Sequence, residues 1–162
     1  MQKGAAYWMN LHNFDDEDPI FLAQVQKGVT NFVKILTGKD IPVQYATSGD
    51  SMTDGETVYI AANLKEDTID YMVGLALHEA SHIVLSDFKL IKEFNEGANE
   101  LFNNFINEQK VGDYSEWKGI TFNLLNWIED RRIDNFVFST SPGYKAYYHK
   151  LYDYYWNSDQ VH

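Results

Sequence analysis

The residues with the clearest capacity for chemistry form the motif His78-Glu79-Ala80-Ser81-His82, which has the pattern H-E-x-x-H. Residues four apart on a helix lie on the same face, with Cβ atoms about 5–6 Å apart. Two imidazoles on consecutive turns can therefore bind one zinc ion at about 2.0–2.1 Å. Glu79 lies one position further round, where it can take a proton from the attacking water and deliver it to a leaving amine. The spacing predicts a zinc-dependent hydrolase.

The residues around the motif predict that it is buried. Apolar side chains occupy nearly every side of the same helix, namely Met72, Val73, Leu75, Ala76, Leu77, Ala80, Ile83, Val84 and Leu85. Burying two histidines and a glutamate costs free energy unless something binds them. A metal ion would meet that requirement, and a pair of hydrogen-bonded core histidines is the alternative without chemistry.

A third protein ligand is expected, because a catalytic zinc usually has three and keeps a fourth position for water. The chain has no cysteine, so that ligand cannot be a thiolate. The metzincin pattern fails because Leu85 and Phe88 stand where it requires glycine and histidine. The third ligand should therefore be a carboxylate. The candidates are Glu96, Glu100, Glu108, Glu129, Asp130 and Asp134.

Helical spacing favours Glu129 among these carboxylates. Its neighbours four and seven positions away on both sides are all apolar, namely Phe122, Leu125, Ile133 and Phe136. A carboxylate in an apolar stripe is expected to be buried for a reason, so Glu129 is predicted to face inward and bind the metal. Asp130 and Asp134 are expected on another side of the helix. A salt bridge from Glu129 to Arg132 is the alternative explanation.

The elements that must position these residues are mostly helices. Helices are predicted from about Pro19 to Leu36, up to about Leu85, over about Lys89–Lys110 and Ser115–Phe138, and from Pro142 onward. Two strand-like segments, Ile41–Thr47 and Thr57–Ala61, flank a turn-rich stretch that could form a mobile hairpin loop. The expected fold class is α+β, predominantly helical, with a small N-terminal sheet and a buried H-E-x-x-H helix.

Each strand-like segment carries one further expectation. Pro42 places the first at an edge of the sheet, because proline cannot donate to a strand ladder. The second, Thr57–Ala61, is expected to be an edge strand as well. It would either pair with an extended substrate or serve only as an ordinary edge.

Length and composition limit the functional classes. A chain of 162 residues is close to the size of one domain, which we place at 1–162. The 13 Lys and Arg against 24 Asp and Glu give a net charge of −11, which disfavours nucleic acid and acidic membranes as partners. No apolar run is long enough to span a bilayer. The first eight residues do not read as a secretory signal, and the lack of cysteine fits a reducing, cytoplasmic location.

The H-E-x-x-H motif and a second segment, Trp127-Ile128-Glu129-Asp130-Arg131-Arg132-Ile133-Asp134, together carry a family resemblance. The combination resembles a gluzincin-like group of zincin metallopeptidases, in which a Glu-Asp-x-Arg segment supplies the third ligand. Such domains are found in bacteria and large tailed phages, commonly associated with a von Willebrand A-type domain. The stretch from Thr140 to Tyr148 is similar to the phage members. The resemblance covers about Asp67 to Trp156.

The resemblance implies a zincin-like fold and a peptidase that acts on a peptide or protein substrate. Zn²⁺ would be bound by His78, His82 and Glu129, with Glu79 as the general base. Asp130 would orient a ligand histidine, and Arg132 would hold Glu129 or Asp130 in place. It also implies a von Willebrand A-type partner domain or protein, which this chain is too short to contain. A phage-encoded protein would work in the host cytoplasm.

Three points stay open at the level of sequence. Tyr144, Tyr148 or His149 could donate a hydrogen bond to the developing oxyanion, although tyrosines at helical spacing more often form core. Asn95-Glu96-Gly97 is similar to a turn of some aminopeptidases, which keeps Glu96 as the second choice of ligand, although helical spacing places it on a solvated face. Two other functions compete with the peptidase: a non-catalytic, zinc-stabilised phage structural or assembly module, and a metal-free binding module.

Overall fold

The computed structural model describes six stretches of the chain. These are residues 4–9, 19–46, 51–61, 68–96, 100–109 and 114–155. Part of the turn-rich stretch between the strands and both ends of the resemblance, at Asp67 and Trp156, lie outside the described residues.

Helices make up most of the described chain. They are α1 (Ala5–Trp8), α2 (Pro19–Thr37), α3 (Ile69–Leu85), α4 (Phe88–Asn95), α5 (Glu100–Gln109), α6 (Tyr114–Thr140) and α7 (Lys145–Tyr155). The strands are β1 (Val43–Ala46), β2 (Met52–Thr53) and β3 (Val58–Ala61). The predicted predominantly helical α+β class with a small sheet is confirmed. None of the helices in the described stretches is long and apolar enough to cross a lipid bilayer.

The three strands form one sheet in the order β1-β3-β2. β1 runs parallel to β3, with Val43 opposite Val58, and β2 runs antiparallel to β3. The expected hairpin between β1 and β3 is therefore wrong, because a hairpin would make these strands antiparallel. The edge position expected for β1 after Pro42 is confirmed.

β3 is the central strand, which corrects the expectation that it is an edge open to substrate. Val58 and Tyr59 have partners on both sides, in β1 and in β2. Further along, the backbone N–H of Ala61 donates to Ser51 Oγ at 2.9 Å. An extended peptide has no free ladder at these positions of β3.

α3 lies at the centre of the core. It packs against α2 and α7 most extensively and also against the sheet and α6. From α2 it receives side chains spaced four apart, Phe21, Val25, Val29 and Val33, all fully buried. This apolar face explains how a short chain buries the helix that carries the motif.

α3 and α7 approach each other closely at Gly74. A Cβ atom placed there would lie 2.3 Å from the backbone oxygen of Tyr147. No side chain fits in that space, so the contact requires glycine. The contact fixes the position of α7, which carries Tyr148 and Tyr152, relative to the helix that carries the histidines.

The predicted helix over about Lys89–Lys110 is divided in the structure into α4 and α5. Asp87 begins α4, and its side chain accepts a hydrogen bond from the backbone N–H of Leu90 at 3.0 Å. The helix ends at Asn95, and the next described helix begins at Glu100. Residues 97–99 between them lie outside the described stretches.

α6 is the longest helix in the described stretches, and its burial is uneven. Ile133, Asp134 and Val137 are buried in its C-terminal half. From residue 123 to residue 128 every side chain is exposed. Only the C-terminal half of α6 therefore packs on the core, and this half carries the segment that follows Ile128.

Candidate metal centre

The two motif histidines project from consecutive turns in the middle of α3. Their ring centroids are 5.0 Å apart, and the ring planes are nearly perpendicular. Their side chains are 13% and 17% exposed, so both are largely removed from water. A helix that is buried on almost every side, as predicted, brings them together without any distortion.

Asp130 of α6 completes a group of three potential metal donors. Its Oδ1 lies 3.6 Å from His78 Nε2 and 3.3 Å from His82 Nε2. The three ligand atoms all lie within 4.8 Å of one another. Two imidazole nitrogens and a carboxylate oxygen at one point form a donor set that can hold a metal ion.

Glu129 is not at the third position, which corrects the expectation for this residue. Its two carboxylate oxygens accept hydrogen bonds from Arg132 Nε and Nη2, both at 2.6 Å. The apolar stripe used to place it is not a buried face, because Leu125 is 48% and Phe136 is 47% exposed. Asp130 lies one position further round and points at α3.

His78 is held from behind by Asp134, one helical turn after Asp130. His78 Nδ1 lies 3.0 Å from Asp134 Oδ1, and Asp134 is almost fully buried. Asp134 Oδ2 accepts a hydrogen bond from Tyr152 and lies 2.9 Å from Arg131 Nη2. The expectation that Asp130 orients a ligand histidine thus falls to Asp134 instead, and Nε2 of His78 remains directed at the donor group.

His82 is held through an intermediary, Ser86. The Ser86 hydroxyl lies 2.9 Å from His82 Nδ1 and donates to Glu129 Oε1 at 2.6 Å. Arg132 pairs with Glu129 and also donates to the backbone oxygen of Leu85 at 2.7 Å. Of the two carboxylates considered as partners for Arg132, it contacts Glu129.

The electrostatics of the group favour positive charge at its centre. Burial lowers the pKa of His78, but the hydrogen bonds that it donates to Asp130 and Asp134 outweigh this effect and raise the pKa to about 9. Burial likewise opposes ionisation of Asp130, but its hydrogen bonds with the two histidines lower its pKa well below the usual range. The two shifts describe one interaction. Without a metal, the group binds a proton where a cation would lie.

Glu79 lies beside the donors and lines the same cleft. Burial raises its pKa above the usual value, although the nearby histidines partly oppose this. A partly desolvated carboxylate is a stronger base than one in water. Its position and environment suit proton transfer next to a metal ion.

A cleft of about 930 Å³ opens onto the donor group. Its polar wall contains His78, Glu79, His82 and Asp130. An apolar wall of the same cleft comes from α4 and α6, namely Phe88, Leu90, Ile91, Phe94, Phe122, Leu125 and Ile128. The rings of Phe94 and Phe122 stack with centroids 6.3 Å apart. The cleft thus combines an apolar surface with the potential metal site.

None of the three residues considered as oxyanion donors lines this cleft. Tyr148 is fully buried, and its hydroxyl lies 3.4 Å from Ser81 Oγ. Tyr144 packs edge-on against Phe32, with ring centroids 6.2 Å apart. His149 is exposed and stacks on Phe138. The tyrosines therefore belong to the core, the more common reading of their helical spacing.

The remaining carboxylate candidates also lie outside the donor group. Glu96, the second choice, is exposed, and its carboxylate is 3.8 Å from Lys92 Nζ. Glu100 and Glu108 are exposed on α5. Within the described stretches, His78, His82 and Asp130 are the one group of three residues that could hold an ion.

Comparison with known protein families, with curated proteins and with solved structures finds no match to this chain. The donor group and the cleft beside it are therefore the features of this protein that point to a function.

Proposed function

We propose that this protein is a zinc-dependent metallopeptidase of the zincin type that its motifs resemble, with Asp130 rather than Glu129 as the third ligand. One observation carries the proposal: His78, His82 and Asp130 converge at the wall of a cleft, with the partly buried carboxylate of Glu79 beside them. A hydrolase of this kind needs those four parts in one place.

The donor chemistry fits zinc. Zinc accepts imidazole nitrogen and carboxylate oxygen and commonly has three protein ligands in catalytic sites. His78 uses Nδ1 in a hydrogen bond with Asp134, and His82 uses Nδ1 in a hydrogen bond with Ser86. In both rings Nε2 is therefore the nitrogen available to a metal ion. Three ligands would leave a fourth position facing the cleft. Zinc bound there would act as a Lewis acid, lowering the pKa of water and polarising a carbonyl.

The chain itself supplies the proton transfer. Glu79 would take the proton from the attacking water and pass it to the leaving amine, which general acid–base catalysis requires of one group in two steps. Its raised pKa favours the first step, because a carboxylate of higher pKa accepts a proton more readily. Asp134 and Ser86 would keep the two imidazoles in the orientation that binds metal.

The cleft favours peptides that carry a large apolar side chain. Its apolar wall includes Leu90 and Leu125, which are 52% and 48% exposed and would be covered by such a side chain. Four carboxylates line the cleft against a single arginine; they are those of Glu79, Asp87, Glu129 and Asp130. Acidic peptides would be repelled, so the proposed substrates are neutral or basic.

The resemblance extends the proposal to partners and place. A von Willebrand A-type protein could deliver substrate to the cleft, and the cytoplasm, of the host if the gene is a phage gene, is the proposed location. Neither nucleic acid nor a membrane surface suits a chain with a net charge of −11.

A non-catalytic, zinc-stabilised assembly module is the second candidate. It is favoured by the way the donors join α3 to α6, since a metal there would cross-link two helices. Zinc retained by a wild type that cleaves nothing would support this candidate. A purified protein without zinc affinity would leave the metal-free binding module.

The decisive experiment combines metal analysis with digestion of an unbiased peptide library. Wild type should hold one zinc and cleave, whereas Glu79→Gln should hold zinc and lose cleavage, because the amide cannot accept the proton. Glu108→Gln, on the exposed face of α5, is the matched control and should cleave normally. A Glu79→Gln rate within about tenfold of wild type, roughly 1.4 kcal/mol of barrier, would refute the role of Glu79.

A further inference from the structure

We infer that Ser86 is a positioning residue for the metal centre: its hydroxyl transmits the charge of the Glu129–Arg132 pair to His82 and fixes the ring for binding through Nε2. The inference rests on the proposed metal site but not on peptidase activity. Neither the H-E-x-x-H pattern nor the acidic segment of α6 includes Ser86.

A series of hydrogen bonds connects Arg132 through Glu129 and Ser86 to His82. The direction of each of these bonds follows from Arg132. Arg132 cannot give up its charge, and both oxygens of Glu129 accept from its guanidinium. Glu129 is therefore an ionised carboxylate that can only accept. The single hydroxyl proton of Ser86 must point at Glu129 Oε1, 2.6 Å away.

The direction of the Ser86 hydroxyl determines which tautomer His82 adopts. With its proton directed at Glu129, the Ser86 oxygen has only lone pairs left for the imidazole, 2.9 Å away. His82 Nδ1 must therefore carry a hydrogen and donate it. In a neutral ring this leaves the lone pair on Nε2, the atom that faces Asp130 at 3.3 Å. The hydrogen-bond chain selects the tautomer that a metal requires.

The position of Ser86 at the end of α3 keeps this series of hydrogen bonds in place. Ser86 is the C-cap residue directly after α3. Its backbone N–H donates to the backbone oxygen of His82 at 2.8 Å. Arg132 ties the same turn to α6 through the oxygen of Leu85. The backbone bond does not involve the side chain, so removing the hydroxyl leaves the end of α3 intact and isolates its effect on His82.

The two histidines are thus supported differently. The Nδ1 atom of His78 contacts a buried carboxylate directly, whereas the Nδ1 atom of His82 reaches a carboxylate only through a hydroxyl. Glu129 has the charge needed to bind metal but is occupied by Arg132. Its role in this inference is indirect, through Ser86.

The test is zinc affinity, measured by competition with a chromophoric chelator on the full chain. Ser86→Ala should weaken zinc binding by about tenfold or more, as expected for loss of an outer partner of a ligand histidine. Ser86→Thr keeps the hydroxyl and should restore binding to within about threefold of wild type. Ser139→Ala, which removes an exposed hydroxyl near the end of α6, should change nothing.

Two further measurements separate positioning from a general effect on folding. Glu129→Gln should weaken zinc binding like Ser86→Ala, and the double variant should be no weaker than the poorer single, because both changes break one chain. In the zinc-loaded protein, the Nδ1–H proton of His82 should be protected from exchange in wild type and Ser86→Thr. That protection should be lost in Ser86→Ala.

The outcomes distinguish this inference from the proposed function. Unchanged zinc affinity in Ser86→Ala, or additive losses in the double variant, would overturn the inference even if peptides are cleaved. The expected affinities in a protein that cleaves nothing would support the inference and remove the peptidase instead. A wild type without zinc affinity would overturn both.

Discussion

Replacing Gly74 by alanine should destabilise the protein through the contact between α3 and α7. The new Cβ would lie 2.3 Å from the backbone oxygen of Tyr147 and 3.2 Å from Leu151 Cβ. An ordinary contact needs about 3.4 Å or more, so α7 would have to move by roughly 1 Å. Backbone cannot rotate away as a side chain can.

The magnitude follows from two opposing terms. Overpacking of this kind costs about 1–3 kcal/mol or more. Alanine gains about 1 kcal/mol over glycine in a helix interior, which offsets part of that cost. The net effect for Gly74→Ala is expected to be a loss of up to about 2 kcal/mol. Gly119→Ala is the matched control, because no described atom lies within 4 Å of its Cβ and only the gain remains.

Urea unfolding of both variants provides the measurement. Gly119→Ala should be more stable than wild type and Gly74→Ala less stable, with a difference of about 1–3 kcal/mol between them, the cost of the overpacking alone. Equal stabilities for the two variants would show that α3 and α7 do not touch at Gly74. Because α7 carries Tyr152, which bonds to Asp134, zinc affinity should fall in Gly74→Ala only.

Three further outcomes are expected. Asp130→Asn should lower zinc affinity by at least about tenfold more than Glu129→Gln in chelator competition, because a ligand matters more than an outer partner; the reverse order would restore Glu129 as the ligand. In the metal-free protein, a His78 pKa raised from 6.5 to about 9 stabilises the fold below about pH 6.5 and loses that contribution as the pH rises through 9. Urea unfolding with chelator should therefore show that the free energy of unfolding declines by at most about 3 kcal/mol between pH 6 and pH 10. This decline should be absent from His78→Gln. Identical pH slopes for wild type and variant would exclude a contribution from protonated His78. Peptide libraries should show preference for a large apolar residue near the cleavage site that Phe94→Ala weakens; equal cleavage of alanine-containing peptides would remove the apolar wall from substrate recognition.

The sequence predicts the histidine pair because the relevant spacing is local. Residues four apart on a helix meet whatever the rest of the chain does, and the apolar residues around His78 and His82 leave burial as the only option. The same logic located the acidic segment of α6. The edge position of β1 is predictable for another local reason, because Pro42 cannot donate to a strand ladder.

The sequence does not identify Asp130 as the third potential donor, because the residues of α6 alone do not show which face of this helix is buried. Apolar side chains occur on several sides of this helix, and Leu125 and Phe136, used to define the inner face, are exposed. A better signal was available, since Asp130 and Asp134 have the same four-residue spacing as the histidines. Pairing the two spacings would have placed one aspartate at the donors and the next behind them.

Other features depend on contacts distant in sequence. The parallel pairing of β1 with β3 requires the chain to return between them, and a turn-rich stretch does not specify whether it returns as a hairpin or through a further strand. Ser86 carries no functional signal in the sequence, and the role inferred for it depends on its contact with Glu129 from another helix.

The donors and the apolar wall of the cleft come largely from different parts of the chain. His78, His82 and Asp130 lie on α3 and α6, whereas α4 contributes Phe88, Leu90, Ile91 and Phe94 to the wall and no donor. Substitutions in α4 would therefore change the shape of the cleft without changing a potential metal donor. For protein engineering directed at the proposed peptidase, α4 is the segment to randomise, and α3 with the C-terminal half of α6 is the framework to keep constant.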